Sequence, residues 1–242
     1  MITEENCRTA MLLGSDGVQK LQTAGVLIFG IGGVGGHIAE ALARAGIGRI
    51  TLVDRDDVSL SNINRQTVAL HSTLGKAKVD VMADRISDIN PTCRIQPVRL
   101  FYLPETADRI PFDGYDYIID AVDNVTAKLS IIRRAVSCNI PVISCMGTGN
   151  KLHPELLQID DLSKTTVCPL ARVVRRELRK FGIEHIPVLY STEEPRKPDV
   201  AAAADFLDET AAVPPASVSF VPSVAGLMIA GYVVRNLTKQ GL

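Results

Sequence analysis

The stretch GVLIFGIGGVGGHIAEALARAG, Gly25 to Gly46, decides how the chain is read. GVLIFG is a continuous apolar run ending in glycine, the pattern of a parallel strand buried on both faces. GGHIAEALARAG follows with helical spacing: Ile38, Leu42 and Ala45 share one face, and Gly46 stands where a C-cap belongs. Between them Gly30, Gly32 and Gly35 form G-x-G-x-x-G, with Gly33 inside it. In a strand–turn–helix context the pattern has a physical meaning. Glycines let a tight turn bring free N–H groups and a helix N-terminus close to an anionic phosphate chain. Asp54 ends the next strand, RITLVD, nineteen residues after Gly35, where a carboxylate can bind ribose hydroxyls. The loop alone does not distinguish NAD, FAD or ATP.

Outward from this unit, strand and helix patterns alternate. KAKVDVMADRISDIN reads as an amphipathic helix stopped at Asn90-Pro91. CRIQPVRL, YDYIIDA and PVISCM read as strands, with the helix VTAKLSIIRRAVSCN before the last of them. This repetition predicts an α/β fold, a Rossmann-like, doubly wound, mainly parallel sheet. After Met146 the rhythm changes. ELLQIDDL and IPVLYS read as strands that extend the sheet with a mixed or antiparallel part, and CPLARVVRRELRKFG as a helix with Pro169 in its first turn. Glu193 to Ala216, with four prolines and an alanine run, reads as a long mobile crossover loop. SVSFVPSVAGLMIAGYVVRNL closes the chain as a short strand and a buried helix.

Composition narrows the function. Of 242 residues, 46% are hydrophobic and 22% charged, and the formal net charge is −1. Nucleic-acid binding therefore has to rest on a local basic patch. Cys7, Cys93, Cys138, Cys145 and Cys168 form no C-x-x-C pair, so a paired-cysteine zinc site is not supported. An odd cysteine count behind MITEENCRTA, which lacks a basic-then-apolar leader, fits a cytoplasmic location. The apolar segment Val224–Val234 has eleven residues, against the roughly 20 that cross a bilayer, so no membrane association is expected.

Several residues bear on which nucleotide is bound. An adenylating enzyme must withdraw charge from the α-phosphate while pyrophosphate leaves, which calls for added cations and Mg²⁺. Arg65 in SNINRQ, Ser61 to Gln66, and Lys76 and Lys78 in GKAKVD supply cations after the ribose strand. Lys76 also reads as a solvated surface charge. Asp120 and Asp123 end the fourth strand, where a carboxylate can hold Mg²⁺ among phosphates; Asp120 also reads as a helix-facing cap. Asn62 and Asn64 either hydrogen-bond phosphate or ribose, or shape a turn.

The segments GIGGVGG, VDRDDVSLSNINRQ, GKAKV and DAVDN resemble the ubiquitin-activating-enzyme-like adenylating superfamily, which includes the enzymes that adenylate molybdopterin and thiamine sulfur carriers. The resemblance implies ATP, Mg²⁺, an acyl-adenylate intermediate and a homodimer. It places Asp54 on the ribose, Asn62, Arg65 and Lys78 at the phosphates, and Asp123 on Mg²⁺. RTAMLLG resembles the family segment whose arginine reaches into the partner subunit's active site; Arg8 is the matching residue, with Thr9 in place of the usual glutamine. One domain, 1–242, is expected, with a nucleotide-binding half, 1–146, and a substrate-binding and dimerisation half, 147–242.

The second half lacks the two C-x-x-C pairs usual in sulfur-carrier adenylators. SCMGTGNKLHPELLQIDDLSKTTVCPLARVVRRELRKFGI instead looks like the tRNA threonylcarbamoyladenosine dehydratase subfamily. That resemblance implies a substrate, the threonylcarbamoyl group of a tRNA adenosine, cyclised with net loss of water. Adenylation of a ubiquitin-like sulfur-carrier protein is the alternative, and a sulfur-transfer protein is an open partner. A nicotinamide-dependent oxidoreductase is disfavoured by Arg65 and Lys78, and a non-catalytic module by Arg65 and Asp123. Arg172, Arg175, Arg176, Arg179 and Lys180 stand at offsets 0, 3, 4, 7 and 8, one basic helix face suited to RNA phosphates or simply to solvent. Arg133 and Arg134 extend it. Cys168, at the start of this helix, reads either as a structural thiol, the favoured reading, or as a reactive thiol that relays an acyl or sulfur group, and His153 as a loop residue rather than a base.

Overall fold

The apolar run Gly25–Phe29 forms β1, buried at every residue. Its side chains alternate between two cores: Val26 and Ile28 enter one cluster, Leu27 and Phe29 the other. A strand covered on both faces is what an unbroken apolar run requires. The computed structural model describes residues 2–206 and 213–239.

Around β1 lie β2 (Arg49–Asp54), β3 (Arg94–Arg99), β4 (Tyr117–Asp120), β5 (Val142–Cys145), β6 (Leu157–Asp161) and β7 (Pro187–Ser191). They form a single seven-stranded sheet in the order β3-β2-β1-β4-β5-β7-β6. All neighbours are parallel except β6 and β7. The mixed edge expected after Met146 is therefore this antiparallel pair. β3 is the other edge, and Pro97 sits there, where the proline's missing N–H costs least.

Helices α2 (Gly35–Ala45), α3 (Lys78–Ile89) and α6 (Phe220–Thr238) cover one face; α4 (Val125–Ser137) and α5 (Pro169–Arg179) cover the other. α1 (Cys7–Thr23), broken at Gly14 with φ 71°, lies against α6. Gly46 caps α2 in the left-handed conformation, φ 93°, and Asn124 caps α4 by accepting from the Ala127 N–H at 2.9 Å. α6 is long and apolar enough to cross a membrane by composition. It is a core helix here, with Val221, Ala225, Ile229 and Val233 packed inward at four-residue intervals.

One expectation changes. No strand precedes α6: residues 213–218 are irregular. Their backbone partners are loop residues. The Ala216 N–H donates to Asn150 Oδ1 at 2.8 Å, and the Asn150 N–H to Ala216 O at 2.7 Å. Within the segment expected as a crossover loop, Ala201–Phe206 form a 3-10 turn; residues 207–212 lie outside the described ones.

Beneath the ends of β4 and β5 the structure buries an ion pair. Asp120 and Lys128 are both 0% exposed, with Lys128 Nζ 2.7 Å from Asp120 Oδ2. The ammonium also donates to Ser144 Oγ at 3.2 Å and Cys145 O at 2.9 Å, and Ser144 Oγ donates to Asp120 Oδ2 at 2.5 Å. Three ammonium protons have three acceptors, so the charge is fully compensated. Lys128→Met should lower the unfolding free energy in urea by about 3–5 kcal/mol, because it strands a buried carboxylate. Adding Asp120→Asn should recover most of that loss; a single-variant loss under about 1 kcal/mol would contradict this role.

Candidate active site

The strand order reverses at β1: β2 leads to one edge and β4 to the other, which opens a crevice at the carboxyl ends of the strands. A cleft of about 750 Å³ fills that crevice. Its turn requires glycine at two places. Gly30 has φ 87°, and a Cβ there would lie 2.7 Å from Ala121 O; a Cβ on Gly35 would lie 1.7 Å from Gly30 O. This close approach keeps the N-terminus of α2 at the cleft, with the N–H groups of Gly32 and Gly33 free of protein acceptors among the described hydrogen bonds. Asp54 closes the turn. Its Oδ2 accepts from the Ile31 N–H at 2.6 Å and its Oδ1 from the Asp56 N–H at 2.9 Å. Each oxygen keeps a second lone pair for a hydroxyl.

The cleft collects most of the residues singled out in the sequence: Gly30, Gly32, Gly33, Asp54, Asn62, Arg65, Lys78 and Asp123. Gly35 shapes the turn without lining the cleft. Arg65 is held on its loop by bonds to Ser61 O and Asn64 Oδ1, both 2.9 Å. Lys78, nearly buried at the start of α3, pairs with Asp56 Oδ2 at 3.0 Å. Asn62 uses Oδ1 to accept from the Ser59 N–H at 3.2 Å, so its carbonyl shapes the turn. Asn64 does not line the cleft. Its amide donates to Ser217 O at 3.0 Å and ties the loop to the approach of α6. The turn-shaping reading thus accounts for Asn64. Lys76 is exposed. Asp120 is the buried partner of Lys128, with no cap role.

Sequence reasoning missed Gln66, Tyr102 and Lys151, all on the cleft wall. Gln66 Oε1 and Tyr102 Oη are buried without a hydrogen-bond partner among the described residues. Buried polar atoms are ordinarily paired, and a nucleotide in this cleft is a source of partners. Tyr102 carries no sequence signal. Lys151 does carry one: it is the one charge between Arg134 and Glu155, just after a β-strand's carboxyl end. Cys168 is buried on the same wall, preceded by Val167 at φ 59°, a strained conformation for a β-branched residue. Burial pushes the neighbouring Cys145 thiol up to about 12. His153 sits in a loop with Nδ1 2.7 Å from Glu155 Oε1.

The basic face of α5 is partly withdrawn. Arg172, Arg176, Arg179 and Lys180 are exposed, with Arg176 and Lys180 both paired to Glu177. Arg175 turns back to Thr165 O at 2.8 Å and Thr165 Oγ1 at 2.6 Å, so it braces its own loop. Ala171, Val174 and Leu178 face the core, and Val173 is half-buried. Arg134 likewise points inward to Ala107 O, while Arg133 stays exposed over the Phe181 ring. Arg8 is exposed on α1 and is not among the cleft residues.

The model of the ThiF family matches residues 6–242. The chain is 45% identical to the tRNA threonylcarbamoyladenosine dehydratase of Bacillus subtilis, over 96% of this chain and 94% of that protein. The Escherichia coli tRNA N6-threonylcarbamoyladenosine dehydratase, solved with ATP, superposes with a TM-score of 0.88 at 33% identity, covering 99% of this chain and 98% of that one. The same protein has also been solved with AMP. A molybdopterin-synthase adenylyltransferase from Salmonella typhimurium is 36% identical over only 57% of this chain and 55% of that protein.

Gly35→Ala tests the turn. The added methyl must push Gly30 out of place, so affinity for an adenine nucleotide should fall at least about tenfold by calorimetry, while far-ultraviolet circular dichroism stays unchanged. Unaltered affinity would mean that the turn does not cradle phosphate.

Proposed function

The chain belongs to the ThiF family, and from that premise we propose its reaction: ATP-dependent cyclisation of threonylcarbamoyladenosine in tRNA, with net loss of water. The observation that carries this reading is the length of the match to a dehydratase, which runs through the second half of both chains. A sulfur-carrier adenylyltransferase matches little more than half.

The chemistry then follows from the cleft. A substrate carboxylate oxygen attacks the α-phosphorus of ATP, the bond to the β-phosphate oxygen breaks, and pyrophosphate leaves. An atom of the carbamoyl group, losing its proton, then attacks the activated carbonyl carbon and AMP leaves with one former carboxylate oxygen. The nucleoside has lost the elements of water, and attack is intramolecular, which supplies proximity without a protein nucleophile. Asp54 is suited to the ribose, and the α2 N-terminus, Arg65 and Lys78 to the phosphates, where positive charge stabilises the transition state. Asn62 lends its amide N–H₂ to the same wall.

Asp123 is exposed on the cleft wall, and among the described residues no cluster of three or more His, Cys, Asp or Glu forms a metal site. One carboxylate completed by phosphate oxygens and water is the donor set that suits Mg²⁺. When bound, Mg²⁺ neutralises phosphate charge and eases departure of pyrophosphate. Arg8 serves a partner subunit in a homodimer; Met11 and Leu12, 84% and 86% exposed on the same helix, support a docking role for α1. All five cysteines are free thiols, in keeping with a cytoplasmic enzyme.

The direct test is mass spectrometry of nucleosides from threonylcarbamoyladenosine-bearing tRNA after incubation with ATP and Mg²⁺. Loss of one water, dependent on both enzyme and ATP and matched by AMP, is expected; AMP transfer to a sulfur-carrier C-terminus instead would favour the alternative. Arg65→Ala should cut kcat at least about 100-fold with the melting temperature retained; near-normal turnover would remove Arg65 from the mechanism. Neutralising Arg172, Arg176 and Arg179 together should raise the KM for tRNA and flatten its salt dependence by about one logarithmic slope unit for each phosphate no longer neutralised. Arg175→Gln should instead lower stability. Unchanged tRNA kinetics in the triple variant would leave the α5 face as plain surface.

A further inference from the structure

Among the described residues four cationic side chains line the cleft, and they divide between its two sides. Arg55, Arg65 and Lys78 follow β2, on the side of the phosphate turn. Lys151 stands apart, following β5 and bonded to the segment that follows β7. β5 lies two strands from β1 in the sheet, about 10 Å at the usual strand spacing.

Lys151 is 4% exposed. Among the described residues its ammonium has one hydrogen-bond acceptor, the backbone carbonyl of Glu193, and no carboxylate within ion-pair distance. The neighbouring acid that could pair with it is turned away. The Glu193 carboxylate accepts from the N–H groups of Leu152 at 3.1 Å and His153 at 2.9 Å, and from Arg196 Nε at 3.5 Å. Lys128 shows the contrast, since it is fully buried and has an acceptor for each proton. A buried ammonium without a counter-ion is costly. Burial accordingly holds Lys151 below the ordinary lysine range, opposed by the nearby Cys168, Glu193 and Glu194. An anion in this side of the cleft would offset the cost.

We propose that Lys151 binds the substrate's carboxylate and selects threonylcarbamoyladenosine against adenosines that lack the acid. This rests on the reaction proposed above. In that reaction an anionic carboxylate must approach an anionic phosphate chain, and a cation on the substrate's own side offsets the repulsion. The ATP phosphates already have the α2 N-terminus, Arg65 and Lys78 on the other side. Once the carboxylate oxygen has bonded to the α-phosphorus, its negative charge is lost, so Lys151 favours the bound acid over the activated carbonyl and releases it for ring closure.

The test compares two anticodon stem-loop RNAs, one carrying threonylcarbamoyladenosine and one in which the threonine carboxylate is a carboxamide. Binding is measured without ATP, so no turnover occurs. The wild-type chain should prefer the carboxylate RNA by about ten- to a hundredfold, the range of a hydrogen bond to a charged group. Lys151→Met should shrink the preference to within about threefold while leaving ATP affinity unchanged, and Lys151→Arg should restore part of it. A structural role alone would weaken both RNAs equally. Wild-type indifference to the carboxamide, which needs no variant, overturns the proposal. So does retained preference in Lys151→Met, or a loss of ATP affinity in its place. Wild-type turnover with ATP is followed in parallel on the carboxylate RNA. If it is absent, the reaction itself is wrong; if it is present without discrimination, only the role of Lys151 is.

Discussion

The site depends on one close approach of backbone to backbone. Gly30 passes so near Ala121, and Gly35 so near Gly30, that no side chain fits at either place. That approach sets the distance between β1 and α2 and holds the helix N-terminus at the crevice. Asp54 fixes the geometry from the adjacent strand by accepting from the Ile31 N–H. One carboxylate therefore both shapes the glycine turn and lines the cleft. Helix packing behind the turn follows from the same constraint, since α2 must lie flat against the sheet with Ile38 and Leu42 in the core.

The two sides of the crevice are built on different electrostatic principles. On the β4 side, Asp120 and Lys128 cancel each other completely below the surface, with Ser144 and Cys145 O absorbing the remaining protons. That pair gives the floor a fixed polar structure without presenting charge to a ligand. Along the wall the charges are incomplete: Arg65 is steadied by neutral oxygens, Asp123 is exposed, and Lys151 has a single neutral acceptor among the described residues. Charges completed by the protein serve the fold, and those left incomplete line the cleft. The loop SNINRQ contains both kinds within six residues. Asn64 links it to Ser217 and Asn62 shapes its turn, and these bonds hold Arg65 at the cleft.

Much of this is legible in the sequence because it follows from local rules. The buried run Gly25–Phe29, the cap at Gly46 and the stop at Asn90 each report backbone geometry directly, and all three appear where expected. The mixed sheet edge is legible from the changed rhythm after Met146, though not its antiparallel partner choice, which only tertiary packing settles. α1 is hidden in the sequence because its outward residues include Met11 and Leu12 and its inward face needs α6 to define it. The strand expected before α6 does not form, because the backbone beside SVSF bonds to loop residues and finds no sheet edge. Arg175 shows the limit of counting offsets, because helical spacing places a guanidinium on a face but does not prevent it from folding back to Thr165. Tyr102 and Gln66 cannot be found from sequence, since they stand out only in the folded chain, where Tyr102 Oη and Gln66 Oε1 are buried without a hydrogen-bond partner among the described residues.

The central claim is that the substrate carboxylate is activated at the α-phosphorus of ATP and that its oxygen departs on AMP. Oxygen-18 in the threonine carboxylate of the tRNA substrate tests this directly. The account predicts one labelled oxygen in the AMP phosphate for each ring closed, and none in pyrophosphate. Label appearing in water, or in inorganic phosphate with ADP as the nucleotide product, would contradict it and require activation at another phosphorus or none.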